Sequence, residues 1–136
     1  GFFPINEKNL RYPHIGIVII GENSEIGCGC TIDRGSMSNT VISKNTFLDN
    51  QIHIAHNVKI GENSIVAGHT IVTEGSEFPD NTVIAGVPGK AVASRDCGEA
   101  NLLNAKFYSA MAETYAAGDD RLSQEKVDQV LSALKQ

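Results

Sequence analysis

The sequence contains no tryptophan, only 6% aromatic residues and no excess of positive charge; over its 136 residues the formal net charge is −5. Nucleic-acid binding draws on a basic field and on aromatic stacking platforms, so this composition argues against it. Long apolar runs are also missing. Nothing approaches the about 18 consecutive apolar residues that would suggest a membrane span. The opening stretch GFFPINEKNLRYPHIG lacks the basic-then-apolar layout of a signal peptide, and Gly1 stands where an initiator Met would be, so a fragment or trimmed chain is an open expectation. Cysteine is scarce. Cys28 and Cys30 form a C-x-C pair, and Cys97 stands alone, with no second pair to complete a zinc site. Reduced structural thiols in a cytoplasmic protein are expected. The length suits one domain with a modest core.

What is present is a repeat. Apolar residues recur at six-residue spacing at Ile42, Leu48, Ile54, Ile60, Val66, Val72, Phe78 and Ile84. The same beat runs through Ile20, Ile26 and Ile32 and then slips by four residues across RGSMSNT. Two residues before the anchors lie small or β-branched side chains such as Thr40, Thr46, Ser64, Thr70 and Thr82. A period of six excludes an α-helix, whose apolar period is about 3.6. Short strands alternating with tight turns built from Gly, Asn and Asp are expected instead. This is the hexapeptide repeat, and it resembles the left-handed parallel β-helix of acyltransferases. The expected fold is therefore all-β, with C-terminal α-helices appended. In such proteins three hexads make one triangular coil, and a short, thin prism buries little apolar area. The resemblance implies a homotrimer. The four-residue slip predicts a loop leaving one corner.

Past Val87-Pro88-Gly89 the beat stops, and Pro88, which has no N–H, helps end the pairing. From about Glu99 the pattern turns helical, with Leu103, Phe107, Met111 and Tyr115 on one face. Gly118-Asp119-Asp120 breaks it. A second helix is expected to start at Ser123 as N-cap, with Leu122 and Val127 placed for a hydrophobic staple and Val127, Val130, Leu131 and Leu134 as its apolar stripe. The chain thus divides into a lead-in segment over 1–18, a β-helix over 19–92 and a helical segment over 93–136.

Residues 18 apart should stack at about 4.8 Å, the spacing of neighbouring strands. His56 follows its anchor by two and faces outward at a corner, with Glu74 one coil above. His53 faces outward on a flat face under Ile71, and His69 lies at another corner above Gln51. Zinc requires converging ligands. The residue five after His56 is Gly61, five after His53 is Val58, and five before His69 is Ser64, so no such His pair exists and no metal is expected. An outward His at a corner can be a general base, an exposed imidazole being partly neutral at pH 7. A carboxylate stacked above it, such as Glu74, could hold its tautomer. The alternative is that these histidines are plain surface residues.

Two stretches carry a more specific resemblance. IGCGCTIDRGSMSNTVI at 26–42 and NTFLDNQIHIAHNVKIGENSIVAG at 45–68 are similar to UDP-3-O-acylglucosamine N-acyltransferase, a hexapeptide enzyme of lipid A synthesis, as is the opening GFFP…PHIGIVIIG. The match covers about 1–68. It implies that His56, in IAHNV, is the general base that deprotonates the glucosamine 2-amino group for attack on a 3-hydroxyacyl thioester of acyl carrier protein. It further implies an oxyanion donor one coil above, the amide of Glu74 with Gly75 beside it, and a cleft position for Asn50, with His53 as a second candidate for binding substrate. No cofactor is implied beyond that thioester.

The remainder departs from that family. The ending IAGVPGKAV resembles sugar acetyltransferases and γ-class carbonic anhydrases, and Gly68-His69 is too close to His56 to stand for the family's later GH motif. The alternatives are an acetyl-CoA-dependent sugar acetyltransferase, with Lys90 near the coenzyme, or a γ-carbonic-anhydrase-like or designed trimeric scaffold without catalysis.

Overall fold

A computed structural model of the protein describes residues 2–133. The chain begins with an antiparallel hairpin of β1 (Phe2–Ile5) and β2 (Lys8–Arg11). Short strands follow at hexad spacing: β3 (Val18–Ile20), β4 (Glu25–Ile26), β5 (Thr31–Ile32), β6 (Thr40–Ile42), β7 (Phe47–Leu48), β8 (His53–Ile54) and β9 (Lys59–Ile60). The series continues through β10 (Ile65–Val66), β11 (Ile71–Val72), β12 (Glu77–Phe78) and β13 (Thr82–Ala85). They stack into three faces, in the orders β12-β9-β6-β3, β11-β8-β5 and β13-β10-β7-β4. The result is the left-handed parallel β-helix expected from the period, followed by α1 (Gly98–Ala116) and α2 (Gln124–Ser132).

The register shows where the repeat slips. Ile65 pairs with Phe47 and Val83 with Ile65, so each coil takes 18 residues. The lowest coil takes 22, since Thr31 pairs with His53 and Val18 with Thr40. The four extra residues are the loop after β5.

Anchors fill the prism. Ile42, Leu48, Ile54, Val66, Val72 and Ile84 have no exposed area, and neither have Thr40, Thr46, Ser64 and Thr70 from the position two before. A buried hydroxyl needs a partner, and backbone carbonyls supply it: Thr70 Oγ1 donates to Ala67 O at 2.6 Å and Thr82 Oγ1 to Pro79 O at 2.8 Å. At the lower end Ile20, though an anchor, is 48% exposed, because among the described residues no coil lies beneath it.

Corners are turned by a residue in the left-handed region three after the anchor. Asn23, Asn45, Asn63 and Asn81 hold this place along one edge, with φ between 55 and 60°. Asn tolerates that conformation better than other non-glycine residues. Their side chains form a ladder, each Nδ2 donating to the Oδ1 of the next at 3.1–3.3 Å. Gln51 and His69 occupy the same turn position at a second corner, with φ of 57 and 58°.

One expectation for the C-terminal half is corrected, and the docking of α1 is a further finding. Pairing does not end at Pro88: the chain turns back and β14 (Lys90–Ser94) runs antiparallel to β13. Pro88 lies in the turn, where its missing N–H costs no ladder bond. Nor does α1 dock through the stripe Leu103, Phe107, Met111 and Tyr115. Those side chains are only partly covered, Tyr115 being 54% exposed, while the buried residues of α1 are Asn101 and Thr114. Docking is polar because the ladder edge offers backbone carbonyls. Arg95 N–H donates to Asn81 O and Cys97 N–H to Asn63 O, and Asn101 Nδ2 donates to Asn45 O at 2.8 Å and Ser64 O at 3.0 Å. The second helix is capped as expected, Ser123 Oγ accepting from Lys126 N–H. Lys126 Nζ reaches Thr114 Oγ1 at 3.0 Å and ties the two helices together. Of the α2 stripe, Leu131 is 42% exposed and Leu134 lies outside the described residues.

Asn101→Ala removes two hydrogen bonds, one to the buried Ser64 carbonyl and one to the part-buried Asn45 carbonyl. It is expected to lower unfolding stability by about 2 kcal/mol while leaving the β signal of the circular dichroism spectrum unchanged.

Candidate active site

The corner between the faces of β8 and β9 gathers the chain's chemistry. His56 follows β8, and its Nδ1 lies 2.7 Å from the carbonyl oxygen of Arg34. A carbonyl only accepts, so the neutral ring carries its hydrogen on Nδ1 and keeps the Nε2 lone pair free. Nε2 stands 3.5 Å from Asp33 Oδ2. The same carboxylate oxygen is 3.9 Å from His53 Nε2, and His53 Nδ1 meets Thr31 Oγ1 at 2.8 Å. Asp33 therefore lies between two imidazoles. Only about a third of each of these side chains is open to solvent: 29% for His56, 40% for His53 and 39% for Asp33.

The extra loop makes this arrangement possible. Asn57, in the left-handed turn after His56, accepts Ser36 N–H at 2.8 Å through Oδ1 and donates from Nδ2 to Ser36 Oγ at 2.6 Å. Ser38 Oγ also donates to Asn57 Oδ1, and Asn57 N–H donates to Thr40 Oγ1. Gly35 sits inside the fold of the loop, where a Cβ would lie 1.7 Å from Ser38 O.

The structure distributes the residues selected from sequence unevenly. Glu74 is above His56, as the register requires, and both line one recess of about 370 Å³. Its carboxylate accepts from Asn57 Nδ2 at 3.3 Å and makes no hydrogen bond to His56, whose hydrogen-bond partner, Arg34 O, comes from the coil below, as does the neighbouring Asp33. The Gly75 amide donates to His56 O at 3.0 Å and is thereby occupied. The Glu74 amide has no acceptor among the described residues, which leaves it available to a developing oxyanion. Asn50 is elsewhere: it follows β7 at the preceding corner, accepts Cys28 N–H at 2.8 Å and borders a recess with Cys28 and Tyr108. His69 is a turn residue, exposed, with its amide bound to Asn50 O.

Two members of the site were missed in the sequence. Asp33 is legible once the four-residue slip is counted, since Thr31 then falls beneath His53. His14 carries no periodic signal, yet its ring meets His56 edge to face with centroids 4.4 Å apart. Its pKa is held below the ordinary value, first by desolvation and then by nearby positive charge including His56 and Arg34, against an opposing pull from Glu74. Among the described residues no three His, Cys, Asp or Glu side chains are grouped as metal ligands, and no helix is long and apolar enough to cross a membrane.

This repeat defines a class before it suggests a relative. Residues 39–74 match the bacterial transferase hexapeptide (six repeats) family. The UDP-3-O-acylglucosamine N-acyltransferase of Dechloromonas aromatica is 50% identical over 70 residues, covering 52% of this chain and 20% of that one. That of Colwellia psychrerythraea is 49% identical over 74 residues, covering 53% and 21%. The Hahella chejuensis protein of the same name is 41% identical over 89 residues, covering 65% and 26%. The similarity expected over about half of the chain is thus found, and it spans about a fifth to a quarter of the length of these relatives.

Gly35→Ala is expected to unfold the loop locally, lowering stability by about 2 kcal/mol or more and releasing His56 Nδ1 from Arg34 O. Chemical denaturation and the imidazole ¹⁵N shifts of His56 measure both effects.

Proposed function

We propose that the protein is an N-acyltransferase of the lipid A type, moving a 3-hydroxyacyl chain from acyl carrier protein to the 2-amino group of UDP-3-O-acylglucosamine. The observation that carries this reading is the state of His56: Nδ1–H donated to Arg34 O and Nε2 free beside Asp33, in a segment similar to enzymes of that name. The amine nitrogen attacks the thioester carbonyl carbon while His56 Nε2 takes its proton. Negative charge gathers on the carbonyl oxygen, toward the Glu74 amide. The C–S bond then breaks as the amide forms, and the His56 proton passes to the departing sulfur. Asp33, on the Nε2 side of the ring, stabilises the imidazolium between these steps by its charge. Glu74, on the wall of the recess, favours an amine over an anion as the group that enters.

The reading includes a homotrimer working in the cytoplasm, in which a neighbouring copy covers the His53 face and deepens a recess that one chain leaves open. Binding of UDP-sugar and of acyl carrier protein belongs to the same proposal.

Acyl transfer from 3-hydroxyacyl carrier protein to UDP-3-O-acylglucosamine tests it, with native protein and His56→Ala side by side and acetyl-CoA as a parallel donor. Loss of kcat/KM by about 10²–10⁴-fold in the variant is expected, the usual span for a general base. Absence of turnover by the folded native protein defeats the reading, and turnover with acetyl-CoA alone would replace it by the sugar acetyltransferase. Asp33→Asn should keep substrate affinity and lower kcat by about tenfold or more, because the charge it offers matters after proton transfer has begun.

A further inference from the structure

The segment joining β2 to β3 is held from both sides. Upstream, Phe3 packs edge-on against Tyr12 with centroids 5.4 Å apart, and Tyr12 against His14 at 5.5 Å. Downstream, the amides of Ile15 and Gly16 both donate to Ser36 O, at 2.8 and 3.1 Å, and Arg34 Nε donates to Gly16 O at 2.8 Å. Ile17 N–H donates to Asn39 Oδ1 at 3.1 Å. Gly16 has to be glycine here, since a Cβ would lie 2.0 Å from Ser38 O. The loop that supplies His56 with its carbonyl acceptor is thus the loop that clamps the chain next to His14.

One hydrogen bond at Nδ1 fixes an imidazole at a point but leaves it free to swing about that point. A second ring packed at 87° to the first removes the swing. We propose that His14 is a positioning residue for His56: its ring holds the His56 imidazole in the plane where Nδ1 meets Arg34 O and Nε2 faces the recess. The aromatic run Phe3-Tyr12-His14 makes the N-terminal hairpin part of the site rather than a neighbour of it.

The groups facing the pair are Asp33 and Arg34 below, His53 beside and Glu74 above. Two imidazolium rings this close would repel each other. The pKa of His14 is held below its ordinary value, first by desolvation and then by nearby positive charge that includes His56.

The test is ¹⁵N NMR of the imidazoles in the full chain, for native protein, His14→Phe, His14→Ala and His56→Gln, with transfer kinetics in parallel. The Nδ1–H tautomer of His56 should dominate in native protein and in His14→Phe, which retains an aromatic ring, and give way to a mixture in His14→Ala. In His56→Gln the titration midpoint of His14 should rise. In the kinetic arm, which rests on the acyl-transfer reading, His14→Ala should lower kcat by about tenfold to a hundredfold with little change in KM. Unchanged His56 shifts in His14→Ala, or an unmoved His14 midpoint in His56→Gln, overturn the proposal whatever the activity. The expected shifts in a protein that transfers no acyl group leave the pairing standing and remove only the acyl-transfer reading.

Discussion

A strand of two residues cannot hold its own shape, and most strands of this prism are that short. Each exists because the coils above and below offer donors and acceptors at matching height: His53 N–H donates to Thr70 O, and Ala55 N–H to Val72 O. The parallel register between coils is therefore the constraint on which everything else depends. It explains why the inward positions tolerate so little variety. An anchor must be aliphatic or aromatic to fill the prism, and its partner two residues before must be small or β-branched. The turn three after the anchor must accept a left-handed backbone, which Asn, Gly, Gln and His supply in turn. A surface His such as His69 can be spent on that purpose alone.

The candidate site lies where the repeat is broken. Four residues added after Ile32 move the lowest coil out of step and raise a loop whose polar groups engage the corner above on one side and the lead-in chain on the other. Through it, one short segment does several things at once. Arg34 gives its carbonyl to His56 and its guanidinium to Gly16, Ser36 joins Asn57 to the lead-in chain, and Asp33 stands between two histidines. A regular coil could present the same side chains but would stack them in columns. Only the displaced one brings a carboxylate, a carbonyl and two imidazoles to one corner.

The helical tail follows the opposite logic. It reaches the prism along an edge where Asn side chains already bond to one another, so the groups left to meet it are backbone carbonyls. The buried residues of α1 are accordingly polar, and one of them, Asn101, satisfies two acceptors from successive coils. Helical periodicity misleads here because it identifies an apolar face without saying what that face meets.

How much could be read in advance follows from the range of each interaction. The period of six gives the prism, its inward residues and the height of each outward one, because every coil repeats the same local geometry. His56 and its place under Glu74 come from that arithmetic, and Asp33 would have come from it with the slip included. What the repeat does not govern is the choice of hydrogen-bond partner at a corner. Glu74 and Asp33 are both one coil from His56, and rotamers and loop shape give the contact to Asp33 and leave Glu74 to Asn57. His14 lies beyond any such rule. It reaches His56 because a hairpin and a loop outside the repeat fold against each other. The sequence alone thus determined the scaffold and the position of the candidate base, since both are periodic and local. The tertiary structure decided the company that base keeps, since those contacts join segments that no repeat relates.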